Sequence, residues 1–194
     1  AAQNVTTANG CQAVVAIDLN SDGKMDLVTA NSTASSYSVL LGTGTGTFAT
    51  PVTTTLSASP SMLVSGDFNK DGKPDLAFSS PVGNAVAIHL NSGSGSFSAS
   101  APIAIPAGSN PAYLAVADLN GDGRQDLVTA NQGNDTASLL LGNGTGGFTV
   151  GTPLTTGSSP RNLVVADLNG DKLLDLAVSN GLANTVSVFL QRCQ

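Results

Sequence analysis

Glutamate is absent from this chain of 194 residues, and charged residues of all kinds make up only 10% of it. Seven Lys and Arg residues are too few to form a basic surface that neutralises phosphates, so we exclude nucleic acid as a partner. No apolar run approaches 18 residues and no signal peptide is evident, so we expect a soluble, mature or excised chain with no membrane insertion.

All thirteen acidic residues are Asp, and twelve of them lie in four copies of one nine-residue pattern. The pattern has Asp at positions 1, 5 and 9, Asn at position 3, and Gly at position 6 in three of the copies. The copies begin at Asp18, Asp67, Asp118 and Asp167. Almost all the negative charge of the chain therefore lies in one local motif that occurs four times.

This pattern predicts calcium binding. Three carboxylates and an amide would repel one another unless a cation held them, and Ca²⁺ accepts six to eight oxygen ligands at about 2.3–2.6 Å, whereas Mg²⁺ demands a strict octahedron. Positions 1, 3, 5 and 9 would bind through side chains, and position 7 through its backbone carbonyl. The predicted ligands are Asp18, Asn20, Asp22, Lys24, Asp26, Asp67, Asn69, Asp71, Lys73, Asp75, Asp118, Asn120, Asp122, Arg124, Asp126, Asp167, Asn169, Asp171, Leu173 and Asp175. Four solvated turns are the alternative, and four copies in one register disfavour it.

The fourth loop has Lys172 at position 6, where its counterparts are Gly. A residue with a side chain at positive φ is strained by roughly 1 kcal/mol or more, and Lys172 also adds a positive charge beside the site. We expect up to four bound Ca²⁺ ions, one per repeat, with the site at Asp167–Asp175 the weakest.

The loops are not EF-hands. An EF-hand needs a Glu at position 12 and a helix on each side, but position 12 is Thr29, Phe78, Thr129 or Val178. The flanking segments are short, apolar and β-branched, and none has helical periodicity. The sequence predicts strand-flanked loops.

The first Asp of each loop recurs every 49 to 51 residues, a period typical of propellers and solenoids. The units share one order: an apolar strand, the acidic loop, two further strands joined by a polar turn, and, in all but the last, a Gly-rich hairpin with an aromatic and a polar outer strand. This order predicts an all-β fold, a β-propeller of four four-stranded blades. We expect one domain, residues 1–194, with repeats at about 9–56, 57–107, 108–157, and 158–194 plus 1–8.

The last unit lacks a fourth strand, and residues 1–8 resemble the outer strands of the other units. We predict that this N-terminal strand completes the last blade and closes the ring, which would cover two strand edges. The same strand could complete the blade of another chain and give an eight-bladed dimer. The sequence leaves open a monomer and a blade-exchanged homodimer.

Two smaller sets of residues carry expectations. We interpret Phe48, Phe97 and Phe148 as anchors that hold each hairpin to its blade, with stacking on a ligand as the alternative.

Cys11 and Cys193 lie near the two ends of the chain and could form a disulfide. If the N-terminal strand closes the ring, however, the two cysteines lie at its opposite ends, and a strand of about seven residues spans roughly 23 Å. That distance is beyond the Cα separation of about 7 Å that a disulfide tolerates. Either the closing strand or this disulfide is therefore wrong.

The Asp-x-Asn-x-Asp-Gly-x-x-Asp-Leu loops and the Leu-Leu-Gly-x-Gly-x-Gly-x-Phe hairpins resemble FG-GAP/VCBS repeats along essentially the whole chain. That family includes the integrin α-chain propeller and many secreted bacterial proteins. The resemblance implies a β-propeller with one calcium ion per blade loop, and it implies secretion to the extracellular space. The seven blades of the integrin propeller differ from the four units found in this sequence.

Three functions remain open: a non-catalytic binding or adhesion module for a protein or carbohydrate ligand, a structural spacer, and an enzyme. Catalysis is the weakest because His89 alternates with apolar residues and Asp135 is the only Asp outside the loops. We expect any ligand to bind opposite the acidic loops, at residues 31–37, 81–84, 131–135 and 180–184 and near Tyr113 and Arg161.

Overall fold

The computed structural model describes residues 4–106 and 108–192, and all regular structure in this part of the chain is β-strand. Four antiparallel sheets follow one another along the sequence, and each begins with the strand that leads into an acidic loop. None of the described residues forms a helix that is long and apolar enough to cross a membrane.

The four sheets repeat one strand order. The first contains β1 (Cys11–Ile17), β2 (Asp26–Asn31), β3 (Ser36–Leu40) and β4 (Val52–Thr55). The second contains β5 (Met62–Gly66), β6 (Asp75–Ser80), β7 (Ala85–Asn91) and β8 (Phe97–Ala99), with β9 (Ile103–Ala104) also pairing with β7. The third contains β10 (Pro111–Ala117), β11 (Asp126–Asn131), β12 (Thr136–Gly142) and β13 (Phe148–Val150), with β14 (Leu154–Thr155) also pairing with β12. The fourth contains β15 (Pro160–Ala166), β16 (Asp175–Asn180) and β17 (Thr185–Phe189).

Burial follows the composition of the strands. The strands β2 and β3 are buried almost throughout, as expected for a sheet covered on both faces, and they combine apolar residues with buried polar ones such as Asn31 and Ser38. The Thr-rich β4 is exposed along its whole length. This gradient from buried inner strands to a solvated outer strand is that of a propeller blade, and the predicted blades are confirmed.

Neighbouring blades pack through three apolar clusters, one at each junction. At the first junction Tyr37 stacks on Phe78 with ring centroids 5.1 Å apart. At the second, Phe68 meets Phe148 edge-on at 5.6 Å. At the third, Val128 and Leu176 belong to one cluster. The four blades therefore form an arc in sequence order.

The hairpin aromatics pack within this arc. Phe97 lies edge-on to Tyr37 at 6.0 Å, and Phe148 lies edge-on to Phe68. Phe48 is partly buried and forms an isolated bridge with Gly42. Phe97 and Phe148 therefore have a structural packing role, but they pack their hairpins against the preceding blade and not only against their own.

The fourth blade differs from the prediction. β17 pairs with β16 on one side only, and residues 4–10 form no strand. The N-terminal segment does not reach β17 because the two end blades do not pack against each other: no apolar cluster of the described residues joins the fourth blade to the first. Closure by this chain's own N-terminal strand is therefore wrong for residues 4–8. Residues 1–3 of that strand, and Cys193 of the considered disulfide, lie outside the described residues.

Candidate metal centre

Each acidic loop curls around its own first side chain. In the first loop the Asp18 carboxylate accepts hydrogen bonds from the backbone N–H groups of Asp22, at 3.2 Å, and Gly23, at 2.8 Å. The Asn20 side-chain oxygen accepts a second bond from the Asp22 N–H at 3.1 Å. Positions 1, 3 and 5 therefore lie close together on one turn of backbone.

The second and third loops repeat these bonds. Asp67 accepts from Asp71 and Gly72, and Asp118 accepts from Asp122 and Gly123. In the fourth loop Asp167 accepts from Asn169, Gly170 and Lys172. Four loops of different sequence thus adopt closely similar conformations, which is what the fixed positions of Asp and Asn predicted.

The Asp at position 9 has a different environment, because it is fully buried beneath the loop. Asp26 accepts hydrogen bonds from the backbone N–H of Leu19 at 2.9 Å and of Gly42 at 2.7 Å. The equivalent pairs of donors are Phe68 and Asn91 for Asp75, Leu119 and Gly142 for Asp126, and Leu168 and Gln191 for Asp175. This carboxylate therefore joins the acidic loop to the end of the third strand of its own blade, a structural role that was not predicted from the sequence.

Position 7 also does more than offer a backbone carbonyl. The side chains of Lys24, Lys73 and Arg124 pair with the Asp at position 5 of their own loops at 3.2, 3.4 and 3.4 Å. Such exposed pairs contribute little to stability because solvent screens them. They do place a positive charge beside one oxygen of Asp22, Asp71 or Asp122.

Hydrogen bonding and burial shift the acidity of these groups in opposite directions. The backbone N–H of Lys24 lowers the pKa of Asp22, and the backbone N–H of Lys172 lowers the pKa of Asp167. Burial raises the pKa of Asp75 and Asp126, in spite of the two N–H groups that each accepts. The carboxylates with the lowered pKa are thus those on the outer surface of the loops.

Two positions of the loop, rather than one, require a left-handed backbone. Position 6 has φ of +78° at Gly23 and +72° at Lys172, as expected. Position 4 is also left-handed, with φ of 60° at both Ser21 and Lys70, whereas the other two loops have Gly there. Backbone strain therefore does not distinguish the fourth loop from the first two. Charge does not distinguish it either, because the other three loops each have a Lys or Arg at position 7, where the fourth has Leu173. The weaker fourth site stays a prediction.

The donor atoms suit a hard cation, although they are not gathered into a complete site. Positions 1, 3 and 5 offer carboxylate and amide oxygens on the loop surface, and these are calcium ligands. No three acidic, His or Cys side chains converge as a metal-binding group in residues 4–106 and 108–192. In the first loop the third carboxylate, Asp26, lies beneath the loop and accepts two backbone hydrogen bonds. Each of its oxygens keeps a second lone pair that could bind a metal ion.

The loops also contact the neighbouring blade. The backbone carbonyl of Leu19, at position 2 of the first loop, accepts a hydrogen bond of 2.8 Å from the Asn91 side chain of the second blade. The carbonyl of Phe68, at position 2 of the second loop, accepts one of 3.0 Å from the Gly146 N–H of the third blade. The conformation of a loop is therefore coupled to the junction between blades.

The remaining candidate residues have structural partners. His89 is buried, with its ring edge-on to Tyr37 and Phe78 at 5.2 and 5.5 Å, so its core position is confirmed. Asp135 accepts hydrogen bonds from the Ser158 hydroxyl and the Ser159 N–H at the junction to the fourth blade.

One apolar cavity was not predicted. It lies between the third and fourth blades, has a volume of about 350 Å³, and is lined by Leu119, Leu139, Leu154, Leu174 and Phe189 among others. At the preceding junction Phe148 packs against Phe68, the counterpart of Leu119. Among the described residues, the fourth repeat has no aromatic that packs against Leu119 in the same way.

Solved structures with a similar fold are propellers that are longer than this chain. A protein from Bacteroides fragilis, provisionally named a 6-phosphogluconolactonase, superposes with a TM-score of 0.70 at 18% identity, over 94% of this chain and 51% of that one. BBS1N in complex with ARL6DN gives 0.67 at 16% identity, over 96% and 60%. The V. cholerae biofilm matrix protein Bap1 gives 0.58 at 20% identity, over 91% and 26%. This chain thus spans between 26% and 60% of the length of these three structures.

Sequence comparison identifies the repeat itself. No curated protein matches the sequence significantly. The family model of the FG-GAP-like repeat matches three times, over residues 18–78, 67–129 and 118–178. These overlapping matches each run from one acidic loop through the next, and together they include all four loops. The chain therefore belongs to the FG-GAP-like repeat family.

Proposed function

We propose that this protein is a calcium-stabilised binding module that acts outside the cell without catalysis. The observation that carries the proposal is the acidic loop, which holds Asp, Asn and Asp side chains on one turn of backbone in four copies. Oxygen donors in this number and spacing are expected to take Ca²⁺.

Each residue of the loop has a distinct role in this proposal. In the third loop Asp118, Asn120 and Asp122 offer side-chain oxygens, and the carbonyl of Arg124 offers a fourth. Asp126 holds the loop against the hairpin through Leu119 and Gly142 and keeps lone pairs for a further ligand bond. Bound Ca²⁺ would supply the double positive charge that offsets the repulsion between these carboxylates.

An extracellular location fits calcium chemistry. Extracellular modules bind Ca²⁺ with Kd of about 10⁻⁴–10⁻³ M, a range that free calcium fills only outside the cell. Four bound ions would also more than neutralise the formal charge of −6. We therefore propose that export, calcium loading and stability are linked in this protein.

We place the binding surface at the end of the blades opposite the acidic loops. Each turn there contains one left-handed residue with φ between 45° and 55°: Ser35, Asn84, Asp135 or Asn184. Short polar turns of this kind present hydroxyl, amide and backbone groups to solvent, which suits a carbohydrate or a protein edge. A structural spacer with no ligand is the alternative, and catalysis is disfavoured because His89 is buried and Asp135 already has partners.

Calcium titration by calorimetry tests the metal sites, with four ions per chain expected. Asp122→Asn should remove one ion and leave the stability of the metal-free protein almost unchanged, because Asp122 is exposed. Asp126→Asn is the matched variant, and it should lower the free energy of unfolding by about 2 kcal/mol even in chelator, because a buried acceptor of two N–H groups is altered. Absence of calcium binding by the folded protein would overturn the calcium proposal.

The ligand is tested by screening glycans and extracellular matrix proteins in calcium and in chelator. Calcium-dependent binding of one class supports the binding module. A null screen together with a large loss of stability in chelator identifies the spacer instead. Hydrolysis of a sugar lactone, which the name of the Bacteroides fragilis protein suggests as a comparison, is expected to be absent; turnover would overturn the non-catalytic assignment.

A further inference from the structure

The two ends of the arc are apolar and uncovered. In the first blade Val14 is 58% exposed, whereas its counterparts Leu63, Leu114 and Leu163 in the other blades are at most 6% exposed, because each packs against the preceding blade. The first blade has no preceding blade among the described residues. Its outer face, which we call the leading face, is therefore one unfilled half of a junction.

The other half lies on the fourth blade. Val186 and Val188 are 62% and 54% exposed, whereas the equivalent residues of the first blade, Tyr37 and Val39, are buried against the second. Val164, beside them on β15, is exposed as well. This trailing face and the leading face of the first blade are the two sides of the interface that the chain already forms three times.

The outer edge of β17 is also unpaired. In the three complete blades the outer strand is anchored by a backbone bond to a left-handed residue: Leu56 N–H to Ser35, Ile105 N–H to Asn84, and Thr156 N–H to Asp135. The fourth blade has the same left-handed acceptor residue, Asn184, with φ of 54°. An outer strand is therefore expected to pair along β17 in a fixed register.

Residues 4–7 match that strand. Thr7 precedes Asp18 by eleven residues, as Leu56 precedes Asp67 and Thr156 precedes Asp167, whereas Ile105 precedes Asp118 by thirteen. By this spacing Thr7 is the counterpart that bonds Asn184, and Thr6 lies opposite Thr185, as Thr55 lies opposite Ser36. Within one chain the segment belongs to the first blade and β17 to the last, at opposite ends of the arc.

We propose that two copies of this chain close one eight-bladed ring. The trailing face of each copy packs on the leading face of the other, and residues 4–7 of each copy pair with β17 of its partner. Four blades from each of two copies give eight, a blade number that propellers adopt. Two equivalent junctions related by a two-fold axis leave no open end, so assembly stops at the dimer.

The first experiment is the molar mass of the 194-residue chain by light scattering. The chain mass of 19.2 kDa predicts a dimer of about 38 kDa. Val186→Asp and Val14→Asp place a charge on either face and should each give a folded monomer, since both positions are exposed in a single copy. Val82→Asp is the matched control, because Val82 is 83% exposed in a turn away from both faces. A monomeric wild-type chain, or a larger open polymer, would overturn the closed ring.

The second experiment tests the register. Thr6→Cys with Thr185→Cys, in a background of Cys11→Ser and Cys193→Ser, should oxidise to a covalent dimer, because the blade-one counterparts face each other directly. Thr6→Cys with Ser187→Cys is two residues out of register and should cross-link far less. A disulfide within one chain, or equal cross-linking of both pairs, would count against the strand exchange.

Discussion

At the scale of single residues, the buried side chain of His89 departs from the repeat. His89 occupies the position that is Leu40 and Leu140 in the first and third blades, and its Nδ1 atom has no hydrogen-bond partner in the described structure. Burial among Tyr37 and Phe78 lowers the pKa of His89. The sequence shows His89 where the first and third blades have Leu, but only the packing shows that its Nδ1 atom is buried without a hydrogen-bond partner.

His89→Leu is therefore expected to change how stability depends on pH. A His with a lowered pKa in the folded state binds protons more readily when unfolded, so its stability contribution is complete above the unfolded pKa of about 6.5 and is lost as pH falls below it. Urea unfolding at pH 7.5 and 5 should show a larger loss for the wild type than for the variant. Parallel losses would contradict a buried neutral His89.

At the scale of strands, one polar network is repeated with a defect. Asn31 accepts a hydrogen bond from the Thr29 hydroxyl and donates to Ser36 and Ser38, and Asn131 has the same arrangement with Thr129. In the fourth blade Val178 replaces this Thr, and the Asn180 Oδ1 atom is left without a donor. The network hydrogen-bonds the second strand to the third, so the missing bond at Asn180 lowers the stability of the last blade.

Val178→Thr is expected to restore this bond and to raise the free energy of unfolding by up to about 1 kcal/mol, because an unsatisfied buried acceptor costs about 1–3 kcal/mol. Thr129→Val is the reverse change in an intact network and should lower the free energy of unfolding by a similar amount or more. Both are measured by urea unfolding. Destabilisation by Val178→Thr comparable with that by Thr129→Val would contradict this account.

At the scale of the whole molecule, the acidic loops lie where neighbouring blades meet. The backbone carbonyls of Leu19 and Phe68 accept hydrogen bonds from the next blade. The carboxylates of Asp26 and Asp75 accept hydrogen bonds from the end of the third strand of their own blade. Fixing the loops with Ca²⁺ would therefore reinforce the junctions as well as the loops. Each site filled at 100 times its Kd adds about 2.7 kcal/mol of stability.

Removal of calcium is expected to lower the melting temperature by at least about 10 °C, since 1 kcal/mol shifts a domain of this size by about 2–4 °C. Scanning calorimetry in calcium and in chelator measures the shift. Asp122→Asn should melt below the wild type in calcium and together with it in chelator. If the melting temperature were the same in both buffers, the loops would have no stabilising metal.

The sequence by itself determined the repeat, the strand order within a blade and the acidic loop, because these depend on local patterns: alternation, turn residues and fixed ligand spacing. Tertiary structure decided the rest. It buried Asp26 and its counterparts beneath the loops, left Thr-rich β4 in solvent, and separated residues 4–8 from β17. The physical reason is that local spacing cannot encode how far four packed blades curve, and that curvature alone fixes whether the two ends of the chain meet.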